Sequence, residues 1–310
     1  MTRTLRIGTR GSALALAQAR LVQRWLSDYH PALTVELVPI TTSGDRFVDQ
    51  PLSSLGGKGL FVKEIEDALI RGTIDCAVHS MKDVPSELPD GLVIAAIPER
   101  EDPRDVLVAP ARAGVAELPR GARVGTSSLR RMALLRALRS DLDVRPLRGN
   151  VDTRLRKFDA GELGALVLAA AGLRRLGIQR DDVTLLDPQF FLPAIGQGAL
   201  AIETRDDATV TLLTPFNHLP TSIAVTAERA FLRTVGGSCR TPLAAHATVG
   251  GATLAVQALI ASVDGTQVIR GTRTGNLAAA DAIGTDLASE LLQRGGRSIL
   301  DALSLTNDGR

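Results

Sequence analysis

Aromatic residues make up 3% of this 310-residue chain, with one Trp and one Tyr, and of its 36 basic residues only 4 are Lys. So few flat side chains leave little on which nucleobases could stack, which argues against a single-strand nucleic-acid binder. Cysteine is as scarce. Cys76 and Cys239 lie too far apart for a metal-type pair, and one bridge would not make a disulfide scaffold, so a reducing compartment is expected. Long apolar runs are missing too. The longest uncharged stretch, Thr241 to Val263, contains His246, Gly250, Gly251 and Gln257, and reads as two strands around a Gly-Gly turn rather than a membrane span. The opening MTRTLRIGTRGSALALAQA imitates a signal or transit peptide, being Arg-rich and free of acid until Asp28. Its apolar core is short and broken by Gln18, so it reads as a strand and a helix, and a cytoplasmic location is expected. What is present, 45% hydrophobic and 23% charged residues, describes a globular protein of two or three domains.

The net charge of +2 conceals an uneven distribution. An arginine-favouring genome explains the excess of Arg over Lys, but not its placement. Between Arg123 and Lys157 stand ten basic residues against three acids, a local charge of +7 that leaves the remainder at −5. An anion should bind there. A small polycarboxylate or phosphate suits a segment with so few aromatics better than nucleic acid does.

Periodicity divides the chain into three textures. Strand LRIG (5–8) precedes a helix from Ser12 stopped by Pro31; VELVPIT (35–41) is a strand, Leu60 to Ile70 a helix, and IDCAVHS (74–80) a buried strand. This βαβα order predicts a parallel or mixed sheet covered by helices. The proline-punctuated PEREDPRD (98–105) reads as a crossing between domains, after which the pattern restarts: ARVG (122–125), a Thr126-Ser127-Ser128 cap, a helix through Arg139, strand DVRPLR, a helix from Val151 and strand ALVLAA (165–170). Beyond residue 204 a long helix from Ser222 to Val235, three strands between 243 and 274 and a terminal helix pair from Leu277 suggest an α+β domain with an antiparallel sheet.

Several positions could carry chemistry. GTSSLRR (125–131), at a strand-to-helix junction, combines free N–H groups, hydroxyls and two Arg forks into a carboxylate or phosphate cradle. Cations in a helix's first turn oppose its dipole unless something anionic lies between them. Thr9, Arg10 and Ser12 open the first helix in the same way, so two cradles suggest a ligand between two lobes. Asp83, beyond strand IDCAVHS, reads equally as a charged actor in a cleft or as a turn-forming residue paired with Lys82. His79 reads as a packed strand-end histidine, Cys76 as a small core hydrophobe, and no spacing resembles a metal site. Lone loop cysteines are usually incidental, although Arg240 would favour a thiolate at Cys239. GGKGLF (56–61) lacks full phosphate-loop spacing and reads as a loop whose Lys58 visits the cleft.

Taken together, TRGSALALAQ (9–18), GGKGLFVKEIE (56–66), AVHSMKDVP (77–85), EREDPRD (99–105), GTSSLRR (125–131), LRGNVDTRL (147–155), AAAGLRRLG (169–177), LPAIGQGALAIE (192–203) and ERAFLRTVGGSC (228–239) resemble the porphobilinogen deaminase, or hydroxymethylbilane synthase, family across almost the whole chain. The resemblance implies an α/β fold of two periplasmic-binding-protein-like lobes with mixed sheets plus a smaller α+β C-terminal domain, divided as 1–98 with 198–215, 99–197 and 216–310. It implies a cytoplasmic, monomeric transferase of tetrapyrrole biosynthesis that joins four porphobilinogen molecules head to tail with loss of ammonia and releases hydroxymethylbilane by hydrolysis. Porphobilinogen is the partner expected, with no nucleic acid, membrane or metal.

Carried over motif by motif, the resemblance implies a dipyrromethane cofactor attached by a thioether to Cys239 and held by Ser80, Lys82, Asp83, Thr126, Ser128, Arg130, Arg131 and Arg154. Arg10, Ser12, Gln18, Lys58, Arg148, Arg154, Arg175 and Gln197 are expected at the substrate end, and Asp83 as the catalytic carboxylate that stabilises positive charge on pyrrole nitrogens. One departure is Ser54, where members of the family often carry lysine, which leaves Lys58 as the loop cation. The competing readings are a two-lobed binding module without catalysis, which leaves Asp83 and Cys239 idle, and a nucleic-acid binder with a steep salt dependence.

Overall fold

A computed structural model describes residues 3–46, 62–237 and 241–308. The first of three sheets orders β2 (Leu33–Ile40), β1 (Arg3–Arg10), β3 (Cys76–Ser80), β10 (Leu200–Arg205) and β4 (Leu92–Ala96). The second orders β7 (Asp143–Arg145), β6 (Arg123–Gly125), β8 (Ala165–Ala169), β5 (Asp105–Val108) and β9 (Val183–Leu185). Order and polarity agree between them. In each sheet the second strand of this order, β1 or β6, runs parallel to both neighbours, and one antiparallel strand, β10 or β5, lies beside the third. That antiparallel strand is the first formed when the chain arrives from the other lobe, so two crossings join the lobes. The third sheet is an antiparallel meander of β11 (Leu243–Gly250), β12 (Thr253–Ala261) and β13 (Val268–Asn276).

Local sequence accounts for much of this. Helix α1 (Ala13–Tyr29) starts where the Ser12 hydroxyl accepts the Ala15 N–H at 3.3 Å, ends before Pro31, and buries Ala19, Val22 and Leu26. The short helix α2 (Ser43–Arg46) and α3 (Lys63–Ile70) follow in the first lobe; α4 (Leu129–Leu138), capped by Ser128, α5 (Val151–Asp159) and α6 (Ala170–Arg175) cover the second. After α7 (Thr209–Leu213), the long α8 (Leu219–Val235) and α9 (Ala280–Leu291) pack on the third sheet, and α10 (Arg297–Asp308) closes the described chain. The terminal helix pair is divided by a turn at Leu292–Gly296, where Gly295 adopts φ 110°. The strand expected over DVRPLR stops at Arg145, because Pro146 has no N–H to give a ladder.

The C-terminal unit is docked against both lobes. Its own core centres on Phe231, Leu254 and Leu287, all fully buried, and truncating Phe231 to Ala would cost about 3–5 kcal/mol. Ala244, Leu259 and Ala261 join the core of the second lobe beside Leu134, Leu135 and Phe191. Val225 of α8 joins Met81 and Val84 of the first. Where the two crossings touch, Gly198 has φ +88° and a Cβ there would stand 2.2 Å from the Glu101 carbonyl oxygen, so only glycine fits. Glu228 of α8 ties both crossings together: its carboxylate accepts from Arg100 at 2.6 and 3.0 Å, from the Gly196 N–H at 2.7 Å and from the Ala247 N–H at 2.8 Å. Burial alone would raise its pKa, but the Arg100 guanidinium outweighs that and holds it at about 2.

Candidate active site

A cleft of about 790 Å³ opens between the lobes, lined by the segments that follow β1, β3, β6 and β8, the carboxyl ends where α/β sheets present functional groups. Among the described residues, eight that line it are cationic (Arg10, Lys82, Arg130, Arg131, Arg148, Arg154, Arg175 and Arg229), whereas two are acidic, Asp83 and Asp152. The crowding bears on the protonation equilibria. Burial, followed by the nearby Arg131 charge, pushes the Lys82 ammonium down to about 8, against the pull of Asp83 and Asp105. Burial, Arg131 and Arg148 push Arg154 down to about 10, and burial does the same to Arg175. Cations that weaken one another in this way are stabilised when carboxylates enter.

The two first-turn arginines of α4 have an internal partner. Asp105, at the start of β5 and fully buried, takes Arg131 Nε and Nη2 on Oδ1 at 3.0 and 2.6 Å and Arg130 Nη1 on Oδ2 at 2.7 Å. The anion that the GTSSLRR junction requires is therefore supplied by the chain itself, although both arginines still border the cleft and Arg130 Nε is buried without a partner. Despite its burial, the two guanidinium charges hold the Asp105 carboxyl far below the usual range. Gln197 extends the network, donating from Nε2 to Asp105 Oδ1 at 3.0 Å and to the Pro103 carbonyl at 2.7 Å while its Oε1 accepts from Lys82 Nζ at 3.4 Å.

Most of the other expected residues converge. Asp83 ends a 3-10 turn (Met81–Asp83) directly after β3 and faces the cleft beside Lys82, which favours the charged-actor reading over the surface turn. Gln18 of α1 is buried and donates to the Ser80 hydroxyl at 2.9 Å, tying the end of β3 to that helix. Arg10, Ser12 and Arg148 line the cleft, Arg154 donates from Nε to the Gly149 carbonyl at 2.7 Å, and Arg175 donates to the Gly198 carbonyl at 2.6 Å. Thr126 does not reach the cleft. It is buried, with its hydroxyl accepting the Ser128 N–H at 3.2 Å, and the neighbouring Ser127 and Ser128 form the wall instead. Cys239 and Lys58 lie outside the described residues, as does Ser54.

The sequence reading overlooked three groups. Asp105 falls in the PEREDPRD crossing, and Glu228 and Arg229 fall in the motif ERAFLRTVGGSC, with no role assigned to any of the three. An isolated acid among buried strand residues, as in DVLV, is the one signal that could have marked Asp105. His79 is buried, with Nε2 at 2.9 Å from Glu203, as the packed-histidine reading held, and burial pushes the Cys76 thiol up to about 12. Among the described residues no three His, Cys, Asp or Glu side chains gather as a metal site, and no helix is long and apolar enough to cross a membrane.

Two α/β lobes flank a cationic cleft and an α+β unit is fastened to both, an arrangement whose charge suits an anionic ligand. Sequence comparison assigns the lineage. Residues 5–212 match the family model "Porphobilinogen deaminase, dipyromethane cofactor binding domain" and residues 222–293 match "Porphobilinogen deaminase, C-terminal domain". The porphobilinogen deaminase of Syntrophotalea carbinolica is 56% identical over 304 residues, covering 97% of this chain and 96% of the relative. That of Syntrophobacter fumaroxidans is 52% identical over 303 residues, with 97% and 98% covered. The chain belongs to the porphobilinogen deaminase family. Among solved structures, the periplasmic aliphatic sulphonate binding protein SsuA from Escherichia coli aligns at 21% identity over 76% of this chain and 71% of its own, with a TM-score of 0.41.

Proposed function

We propose that this chain is a hydroxymethylbilane synthase, a transferase of tetrapyrrole biosynthesis that joins four porphobilinogen molecules head to tail with loss of ammonia and releases hydroxymethylbilane by hydrolysis. Family membership supports the enzyme class and the dipyrromethane cofactor. The observation that carries the substrate class is the excess of cations over acids in the cleft. Every pyrrole unit brings an acetate and a propionate, so each addition delivers two more carboxylates to side chains held apart by their own repulsion.

The residues fit the cofactor: Lys82, Ser128, Arg130, Arg131 and Arg154 supply donors for its carboxylates, and Arg130 Nε is a buried donor still lacking a partner. Thr126 acts at one remove, through the Ser128 backbone. When bound, the cofactor supplies the carbon on which the chain is extended. Attachment is proposed at Cys239, in keeping with the reducing compartment expected from cysteine usage, and Lys58 is proposed to approach from its loop. Ser80 is proposed to hold the cofactor with these donors, Arg10, Ser12, Gln18, Arg148, Arg154, Arg175 and Gln197 to bind and orient substrate, and Asp83 to stabilise positive charge on ring nitrogens as ammonia departs. Sheet membership supports a division into 1–98 with 198–215, 99–197 and 216–310. A cytoplasmic monomer suits lobes that must shift around a lengthening product.

The deciding experiment is the intact mass of the protein made in a host that produces porphobilinogen, beside its Cys239→Ser variant. An excess of two pyrrole units in the wild type, absent from the variant, is expected. Bare polypeptide mass in both, persisting after incubation with porphobilinogen, would leave a carboxylate-binding module as the reading.

A further inference from the structure

Arg229 belongs to α8 of the C-terminal unit, yet its guanidinium ends on the first lobe. Nη2 donates to the carbonyls of Pro85 at 2.7 Å and Ser86 at 3.2 Å, and Nη1 to the Val84 carbonyl at 3.4 Å with the Met81 sulfur at 3.8 Å. Three consecutive carbonyls thus converge on one cation, immediately after Asp83. One helical turn earlier, Val225 is fully buried against Met81 and Val84, so α8 grips the same turn by an apolar and a polar contact. Other anchors of the turn are the Met81 N–H, which donates to the Ala199 carbonyl at 3.0 Å, the Val84 N–H, which donates to the Met81 carbonyl at 3.1 Å, and the Lys82 ammonium, which donates to Gln197 Oε1 at 3.4 Å. None of these touches the Asp83 carboxylate.

We infer that Arg229 is a positioning residue for the condensation: it clamps the Met81–Ser86 turn to α8 and thereby sets where the Asp83 carboxylate stands in the cleft. The inference rests on Asp83 being the catalytic carboxylate. Arg229 borders the cleft, but both of its Nη groups are committed to the turn, so it has little left to offer a ligand carboxylate. With the clamp gone, three carbonyls lose their shared donor and the turn gains freedom along the direction that matters. A misplacement of about 1 Å in a reacting group costs on the order of 100-fold in rate.

The test is a double-mutant cycle in cofactor-loaded protein, combining Arg229→Gln with Asp83→Glu, a carboxylate on a longer stem. Arg229→Gln should keep the covalent cofactor mass, lose about 10- to 100-fold in kcat and change KM by less than about threefold. Arg229→Lys should recover part of the loss, since it restores the charge without the fork. In the Asp83→Glu background the effect of either Arg229 variant on kcat should shrink below about threefold, because the carboxylate it positions is already displaced. Losses that simply multiply in the double variant, an unchanged kcat, or cofactor missing from both Arg229 variants would overturn the inference. Absence of cofactor from the wild type would instead overturn the functional reading. Should Arg229→Gln fail to fold, the cycle is run with Arg229→Lys, which keeps a cation against the carbonyls.

Discussion

Asp105 and Arg131 form a buried pair in which one carboxylate oxygen accepts from both Nε and Nη2 of the guanidinium, at 3.0 and 2.6 Å. The pair stands behind the cleft wall, and Arg130 shares the other oxygen at 2.7 Å. One acid thus steadies two cations on the first turn of α4, where the helix dipole opposes them. It leaves a net positive charge facing the ligand, and it fixes the side chains that carry that charge.

Replacing Asp105 by Asn should therefore be expensive, since two buried guanidiniums would lose their counter-charge. A loss of about 3–5 kcal/mol is expected, read as a lower urea midpoint at neutral pH. The Asp105 carboxyl is depressed in the folded protein, so its contribution is complete above the ordinary carboxylate range and is lost as the pH falls below it. The midpoint gap between wild type and Asp105→Asn should narrow in acid; a gap independent of pH would contradict the pairing.

Lys82 offers a spectroscopic test, because it is one of only four lysines, with Lys58, Lys63 and Lys157. In the ligand-free cleft its ammonium should titrate near 8 by nitrogen-15 NMR, and porphobilinogen should move that midpoint upward by adding opposite charge. The unfolded chain holds this proton at higher pH than the folded one, so the Lys82 contribution to stability rises with pH between about 8 and the unperturbed value. An ordinary lysine midpoint, unmoved by ligand, would show that the burial is not felt.

Glu66, on α3, is pushed up to about 7 by burial and by the charge of Glu203, against the weaker pull of His79. Here the folded state keeps the proton that the unfolded state loses, so stability falls as the pH rises from the ordinary carboxyl range through about 7. Glu66→Gln should melt above wild type at pH 8, with the difference closing toward pH 4. Equal melting temperatures at both pH values would refute the assignment.

Two variants separate chemistry from elongation. Asp83→Asn should carry the covalent cofactor by intact mass and yet lose nearly all turnover. Arg148→Ala should load cofactor and then stall, visible as a changed ladder of enzyme-bound intermediates. Near-normal product formation by the first, or an unaltered ladder with full turnover in the second, would remove the corresponding role.

The helices around the cleft were legible because their signals are local. Ser12 and Ser128 mark their starts and Pro31 an end, and the glycine pair at 250 and 251 bends the first two strands of the meander. The second lobe's resemblance to the first was legible as a repeated βαβα pattern. Strands β4, β5 and β9 were not read, since runs of three to five residues are too short to show a periodicity. Among the site residues, Lys82, Asp83, Arg130, Arg131, Arg148 and Arg154 stood in recognisable motifs, but a motif does not tell a group facing the ligand from one facing the core. Thr126 reads as a cradle hydroxyl, and in the fold its oxygen accepts the Ser128 N–H of its own turn.

By itself the amino-acid sequence pointed to an anionic ligand and set out two successive α/β lobes and the positions of the charged motifs, because these depend on composition, on caps and on repeats within a few tens of residues. The tertiary structure alone decided which charges neutralise one another. Asp105 reaches Arg131 across 26 residues, Arg100 reaches Glu228 across 128 and Arg229 reaches Pro85 across 144, and no local pattern encodes such pairings. They arise only when a buried carboxylate or carbonyl must find a donor, and the nearest donor is set by how the sheets and α8 pack.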